Sequence, residues 1–83
     1  MSETDRQAIF QRAFFEQPAL SYAHLRAALM EASEQLGLDL AKTRAEVFIT
    51  RALQLGYLLK RREPGQRYEF YRLNWERFSL DQP

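Results

Sequence analysis

The 83-residue chain contains no cysteine and only three glycines, three prolines and one histidine. Without cysteine it can form neither a disulfide bond nor a thiolate metal site, and His24 has no second histidine with which to hold a metal ion. The sequence also lacks a glycine-rich phosphate loop, a nucleophile elbow and any spaced set of metal ligands. A chain this short rarely encloses a catalytic pocket, so we expect a protein that is not an enzyme and carries no cofactor.

Long apolar runs are absent as well, and the first residues, MSETDRQ, are polar. These features predict neither a signal peptide nor a membrane span, and therefore a cytoplasmic protein with no membrane partner. Apolar residues nevertheless make up 46% of the chain and aromatic residues 13%, which is enough to build a hydrophobic core. The length predicts a single domain over residues 1–83.

The net charge of +1 is distributed unevenly along the chain. Residues 1–39 carry three basic and six acidic side chains, whereas residues 40–83 carry nine basic and five acidic ones. An uneven distribution of charge along the chain is what a protein with one basic surface would need.

Three segments space their apolar residues at three and four positions, which is the period of an amphipathic helix. We predict helices over residues 5–16, 21–36 and 39–55. The side chains available to cap their first turns are those of Ser2 or Thr4, Ser21, and Asp39. Pro18 stops the first helix, and Gly37 and Gly56 end the other two because glycine readily adopts a left-handed backbone.

After Gly56 the apolar period changes from about 3.6 to 2, which predicts a β-hairpin over residues 57–73 with strands 57–62 and 67–73. Its turn, EPGQ, suits a type II geometry, whose twist does not match the tightest hairpins, so we expect a loop of four or more residues. In the tail, residues 74–83, we expect one helical turn capped by Asn74, with Trp75 and Phe78 packed back on the domain.

The order of these elements over residues 5–73 resembles the winged helix-turn-helix family of DNA-binding domains. The stretch most like the family runs from Leu53 to Leu73 and includes the segment GYLLKRREPGQRYEFYRL, residues 56–73. The resemblance implies a mainly α fold with a small β-hairpin, in which the third helix enters the major groove and the hairpin lies on the backbone or minor groove. It implies double-stranded DNA as partner and a regulatory role, with a homodimer supplying enough phosphate contacts for useful affinity.

The DNA-contacting residues implied by the resemblance are Lys42, Thr43, Arg44, Thr50 and Arg51 on the third helix and Lys60, Arg61, Arg62 and Arg67 in the hairpin. Arginine and lysine can bind phosphates or guanine edges, and threonine can hydrogen-bond to any base. Cations in a hairpin have an alternative role, since they also confer solubility and protect an exposed sheet edge.

The second strand carries more aromatic residues than one face can bury. Tyr71 and Leu73 point to one side of it, and Tyr68 and Phe70 point to the other. The second pair needs a cover, which could be the tail, a dimer partner, a protein target or unpaired bases. This surplus supports a second hypothesis, a protein-interaction module or adaptor subunit without DNA binding. Its partner or dimer face would comprise Tyr68, Phe70, Trp75 and Phe78.

Overall fold

The computed structural model of the chain describes the backbone of residues 2–80 and the side chains of residues 2–77. This part of the chain forms four helices and a three-stranded antiparallel sheet, which confirms the predicted combination of helices with a hairpin. The elements in chain order are α1 (Glu3–Ala13), β1 (Leu20–Ser21), α2 (Tyr22–Gln35), α3 (Lys42–Leu55), β2 (Leu58–Arg61), β3 (Phe70–Leu73) and α4 (Trp75–Leu80).

Helix α1 begins in a capping box between Ser2 and Asp5. The Asp5 amide donates to the Ser2 hydroxyl at 3.1 Å, and the Ser2 amide donates to the Asp5 carboxylate at 3.4 Å. Of the two predicted caps, Ser2 is therefore the one used. The helix ends at Ala13, three residues before the predicted position 16, because the chain leaves the helix at Phe14 and buries that ring in the core.

The short segment between α1 and α2 contributes a strand to the sheet. Leu20 pairs with Tyr71 and Ser21 with Phe70, so the strand order is β1-β3-β2. The sequence predicts an extended segment here but not the strand with which it pairs, because the paired residues are about fifty positions apart. Ser21 also caps α2, as predicted, by accepting a hydrogen bond from the His24 amide at 3.4 Å.

Helix α3 begins at Lys42, so the prediction that Asp39 caps a helix starting at residue 39 was wrong. The residue before the helix is Ala41, which has no side chain able to cap it. The cause lies in the core: Leu40 is 5% exposed and lies outside the helix, and the extended backbone of Ala41 then leads into it. The other end is as predicted, because Gly56 adopts a left-handed conformation with φ of 81°.

Strands β2 and β3 pair from Leu58 opposite Leu73 to Arg61 opposite Phe70. The predicted strands were too long at the loop end, and residues 62–69 form a loop longer than the expected minimum of four. Within this loop the Gln66 amide donates to the Glu63 carbonyl at 3.1 Å, and Gly65 has φ of 85°, which fits the predicted type II turn. We refer to residues 58–73 as the hairpin.

One hydrophobic core lies between α1, α2, α3 and one face of the sheet. Its fully buried large residues are Ile9, Leu25, Leu29 and Ile49. The sheet contributes Leu58, Tyr71 and Leu73, all less than one-tenth exposed. Because α3 packs on this core through one side only, its opposite side faces solvent.

The segment after β3 is attached to the end of α3 through Asn74. The Asn74 side-chain amide donates to the Gly56 carbonyl at 3.0 Å, and its backbone amide donates to the Tyr57 carbonyl at 2.9 Å. The expectation that Trp75 packs back on the domain was wrong, since Trp75 is 54% exposed on the first turn of α4. The predicted packing of the Phe78 side chain lies outside the described residues.

Candidate nucleic-acid interface

The solvent side of α3 carries one continuous stripe of uncharged residues. Thr43, Val47, Thr50 and Gln54 recur at intervals of four, three and four positions, and all four are exposed. We call these residues the α3 stripe. The two threonines are among the residues predicted from the sequence, whereas Val47 and Gln54 are not, because the prediction considered polar residues in the early part of the helix. The signal that identifies all four is their spacing opposite the buried residues Ala45, Phe48, Ile49 and Ala52.

The α3 stripe presents chemistry that suits base edges. The Thr50 hydroxyl donates to the Glu46 carbonyl at 3.2 Å, so its hydrogen is occupied and its oxygen remains an acceptor. An acceptor of this kind can bind the amino group of adenine or cytosine, and the Gln54 amide can both donate and accept. The Val47 methyl groups, on a side chain 56% exposed, match the methyl group of thymine.

Charged residues border the α3 stripe on both sides. On the side toward α2, Arg26 donates to the Glu46 carboxylate at 3.1 Å, and its guanidinium group lies 5.9 Å from the centre of the Tyr22 ring. This ion pair compensates the one carboxylate of α3, which would otherwise repel a phosphate. Lys42 is exposed at the start of the helix, where it adds a cation.

On its other side, α3 forms a groove with α1. Arg6, Arg44 and Arg51 line this groove, which has a volume of about 540 Å³ and Glu3 as its one lining carboxylate. Its apolar lining residues are Phe10, Val47, Phe48, Ala52, Leu55 and Tyr57. The fold therefore brings Arg44 and Arg51, two predicted cations of α3, together with Arg6 of α1. Arg6 was not predicted, because no local sequence pattern shows that α1 lies beside α3.

The four predicted cations of the hairpin do not share one face. Lys60 lies opposite Tyr71 and Arg61 lies opposite Phe70, so these two side chains project from opposite faces of the sheet. Each has an acidic partner: Lys60 Nζ is 3.5 Å from Glu69 Oε2, and Arg61 Nε is 3.0 Å from Glu63 Oε1.

The remaining two hairpin cations, Arg62 and Arg67, are exposed in the loop and form no ion pair within residues 2–77. They lie on either side of the turn formed by Glu63 and Gln66. Among the four predicted cations of the hairpin, the two in the loop are therefore the ones without a neighbouring carboxylate, and Arg72 of β3, which was not predicted, is a further exposed cation with no such pair among the described residues.

Tyr71 belongs to the core rather than to the interface. Burial raises the pKa of its phenol, and Lys60 opposes the shift because a nearby cation favours the phenolate. Its ring meets the Tyr22 ring edge-on at 5.9 Å between centres. Tyr71 therefore remains neutral at physiological pH and helps to anchor the hairpin on α2.

The aromatic surplus predicted for the hairpin is only partly covered. Tyr71 and Leu73 are buried and Phe70 is half-buried, whereas Tyr68 lies in the loop and is 65% exposed. Leu59, opposite Arg72 on the outward face of the sheet, is 46% exposed. The outward face thus combines apolar side chains with Arg61 and Arg72.

Several other kinds of site find no support in the described residues. Among residues 2–80, no group of three or more histidine, cysteine, aspartate or glutamate side chains is arranged to hold a metal ion. The one histidine, His24, has its ring Nδ1 3.0 Å from the Ser21 hydroxyl beside the first turn of α2. The helices of this region are too short or too polar for any of them to span a membrane.

Comparison with known proteins found no relative from which function could be transferred. No protein-family model matches the chain, and no curated protein or solved structure matches it.

Proposed function

We propose that this protein is a small regulatory DNA-binding protein of the winged helix-turn-helix type. In this proposal α3 lies in the major groove of double-stranded DNA and the hairpin lies on the phosphate backbone. The order of elements, α1-β1-α2-α3-β2-β3, supports it. The observation that carries it is the α3 stripe, an exposed row of uncharged hydrogen-bonding and methyl-bearing residues with cations on both sides.

The distribution of charge supports the same proposal. Residues 42–73 contain eight basic side chains and three carboxylates, Glu46, Glu63 and Glu69. All three carboxylates pair with an arginine or lysine within 4 Å. The two pairs in the hairpin, those of Glu63 and Glu69, are exposed and contribute about 0 to 1 kcal/mol each, so a phosphate can replace either carboxylate at little cost.

The dimensions of α3 also fit. Fourteen residues at about 1.5 Å each make a rod about 21 Å long, and a major groove about 12 Å wide admits an α-helix. A single domain of this size makes few phosphate contacts. We therefore propose that specific binding involves two copies on a two-fold DNA site.

Fluorescence anisotropy with duplex DNA, titrated across salt concentrations, tests the proposal. Binding should weaken steeply with salt, because each phosphate contact contributes about −0.9 to the logarithmic slope. Changing Lys60, Arg61 and Arg62 together to alanine should weaken binding and flatten the slope by up to about 2.7. Arg12→Gln, which removes a cation from the far end of α1, serves as control and should leave the slope unchanged.

A second pair of changes separates base contacts from phosphate contacts. Thr50→Ala with Gln54→Ala removes no charge, so it should leave the salt slope unchanged and reduce discrimination between a preferred and a random duplex. Each lost base contact should cost about 1 to 3 kcal/mol in that discrimination. Absence of any binding to duplex DNA at low salt would refute the proposed function.

The alternative function, a protein-interaction module or adaptor subunit without DNA binding, rests on the exposed apolar residues of the hairpin region. Tyr68, Leu59 and Trp75 are all between 46% and 65% exposed. Under this alternative, Tyr68→Ser or Phe70→Ser abolishes a complex with a partner protein while the chain stays folded. Unchanged partners and oligomeric state in both variants would exclude it.

A further inference from the structure

The turn between α1 and β1 projects an aromatic side chain into solvent. Phe15 is 83% exposed, more than any other large apolar residue in the described part of the chain. Glu16 follows it, and Glu31 of α2 lines the same surface depression. We call Phe15, Glu16 and Glu31 the acidic knob. Arg12 also lines this depression and donates to the Gln35 side chain on α2, so the depression carries two carboxylates and one cation.

A surface of complementary chemistry lies elsewhere on the same molecule. The groove between α1 and α3 presents Arg6, Arg44 and Arg51 above an apolar floor that includes Phe10 and Phe48. We call this groove the arginine socket. Its volume of about 540 Å³ is large enough for a phenyl ring together with neighbouring side chains. A ligand that suits it combines an apolar group with carboxylates.

We propose that the acidic knob of one copy of this protein inserts into the arginine socket of another copy. The Phe15 ring then packs on the apolar floor, and the carboxylates of Glu16 and Glu31 pair with socket arginines. Arginine suits this role because its planar guanidinium group binds a carboxylate through two parallel hydrogen bonds. Both halves of the contact are present on this chain, which favours a second copy over an unrelated partner.

The contact joins different copies because knob and socket have no lining residue in common, the first lying between α1 and α2 and the second between α1 and α3. The socket uses residues from Glu3 to Phe10, and the knob begins after Ala13, the last residue of a helix about 16 Å long. One knob in one socket leaves a free socket on the first copy and a free knob on the second. Such heterologous contacts extend head to tail into a chain or a ring.

Sedimentation velocity at increasing protein concentration, without DNA, tests the proposal. The wild-type protein should form species that grow beyond the monomer as concentration rises. Phe15→Ser should weaken association by about 10- to 100-fold, which corresponds to loss of one buried aromatic side chain. Arg44→Glu combined with Arg51→Glu should weaken it at least as much, since the socket then repels the carboxylates. Circular dichroism melting establishes that each variant is folded.

Mixing the two variants gives the sharpest result. The Phe15→Ser protein retains an intact socket, and the doubly substituted protein retains an intact knob. Each is expected to be monomeric alone, and the mixture is expected to form a one-to-one dimer that cannot grow further. This rescue cannot result from misfolding, and its persistence at raised salt would separate it from general attraction between the two oppositely charged variants.

Leu36→Ser is the matched control, because Leu36 is another exposed large apolar residue and lines neither surface. It should leave association unchanged. The proposal is overturned if the wild-type protein remains monomeric up to about 1 mM, if the mixed variants stay monomeric, or if Leu36→Ser abolishes association. None of these outcomes depends on whether the protein binds DNA.

Discussion

Replacing Glu63 and Glu69 with glutamine should increase the affinity for DNA if the hairpin contacts DNA. The size of that increase tests the contribution of the hairpin to binding. These carboxylates pair with Arg61 at 3.0 Å and with Lys60 at 3.5 Å. Glutamine keeps the shape of each side chain and removes its charge, so both cations become available to phosphates. Both hydrogen bonds of the turn involve the Glu63 backbone, so the loop conformation should persist.

The expected magnitude follows from the exposure of these ion pairs. Their side chains are about half exposed or more, so each pair contributes at most about 1 kcal/mol. Removing the competition from both carboxylates should therefore tighten DNA binding by up to about 30-fold at low salt. Each released cation that reaches a phosphate should make the logarithmic salt slope steeper by about 0.9. Because Lys60 and Arg61 project from opposite faces of the sheet, the expected steepening is about 0.9 if one face contacts DNA and about 1.8 if both do. The free energy of unfolding should fall by at most about 1 kcal/mol per substitution, which is the contribution of the lost ion pair.

The assay is fluorescence anisotropy with a random-sequence duplex at several salt concentrations. The control is Glu34→Gln combined with Glu76→Gln, which raises the net charge equally at exposed positions of α2 and α4, outside the hairpin. The control should change affinity slightly and leave the slope as in the wild type. If the hairpin variant behaves like the control, the hairpin does not contact DNA and the reasoning about its cations is wrong.

Two further predictions concern stability. Ser2→Ala should lower the free energy of unfolding by about 1 kcal/mol in urea titrations, because it breaks the capping box of α1. Asp39→Ala should change the free energy of unfolding by less than about 0.5 kcal/mol, since Asp39 caps no helix. An equal loss in both variants would contradict this prediction. Burial raises the pKa of the Tyr71 phenol above its ordinary value of 10.0, so the unfolded chain loses this proton at a lower pH than the folded chain does. The free energy of unfolding should therefore fall as pH rises through and beyond 10. Tyr71→Phe should reduce that fall, and an unchanged pH dependence would show that the Tyr71 phenol does not contribute to it.

Much of the local structure was predictable because its causes lie within a few residues. The caps at Ser2 and Ser21 and the glycine end of α3 each depend on side-chain and backbone chemistry at one helix terminus. The Pro64-Gly65 turn follows in the same way from the backbone angles that these two residues prefer. The periods of the apolar residues then located three helices and a hairpin, with ends that differ from the structure by a few positions.

The candidate site was less predictable, because its composition depends on contacts between distant segments. Arg44 and Arg51 on α3 were predicted from the sequence. That Arg6 lies in the same groove was not, since this depends on which side of α1 faces α3. The prediction also counted Lys60 and Arg61 as equivalent cations. Only the pairing register places them on opposite faces of the sheet, each beside a carboxylate.

The sequence by itself therefore determined the order of the helices and the hairpin, the uneven charge and the presence of an apolar core, all of which follow from composition and short-range spacing. Tertiary structure alone decided that Leu20 and Ser21 join the sheet, that burial of Leu40 delays the start of α3, and that Trp75 remains exposed. The physical reason is the same in each case: a strand partner or a place in the core belongs to the packed assembly of distant segments, and no short window of sequence contains it.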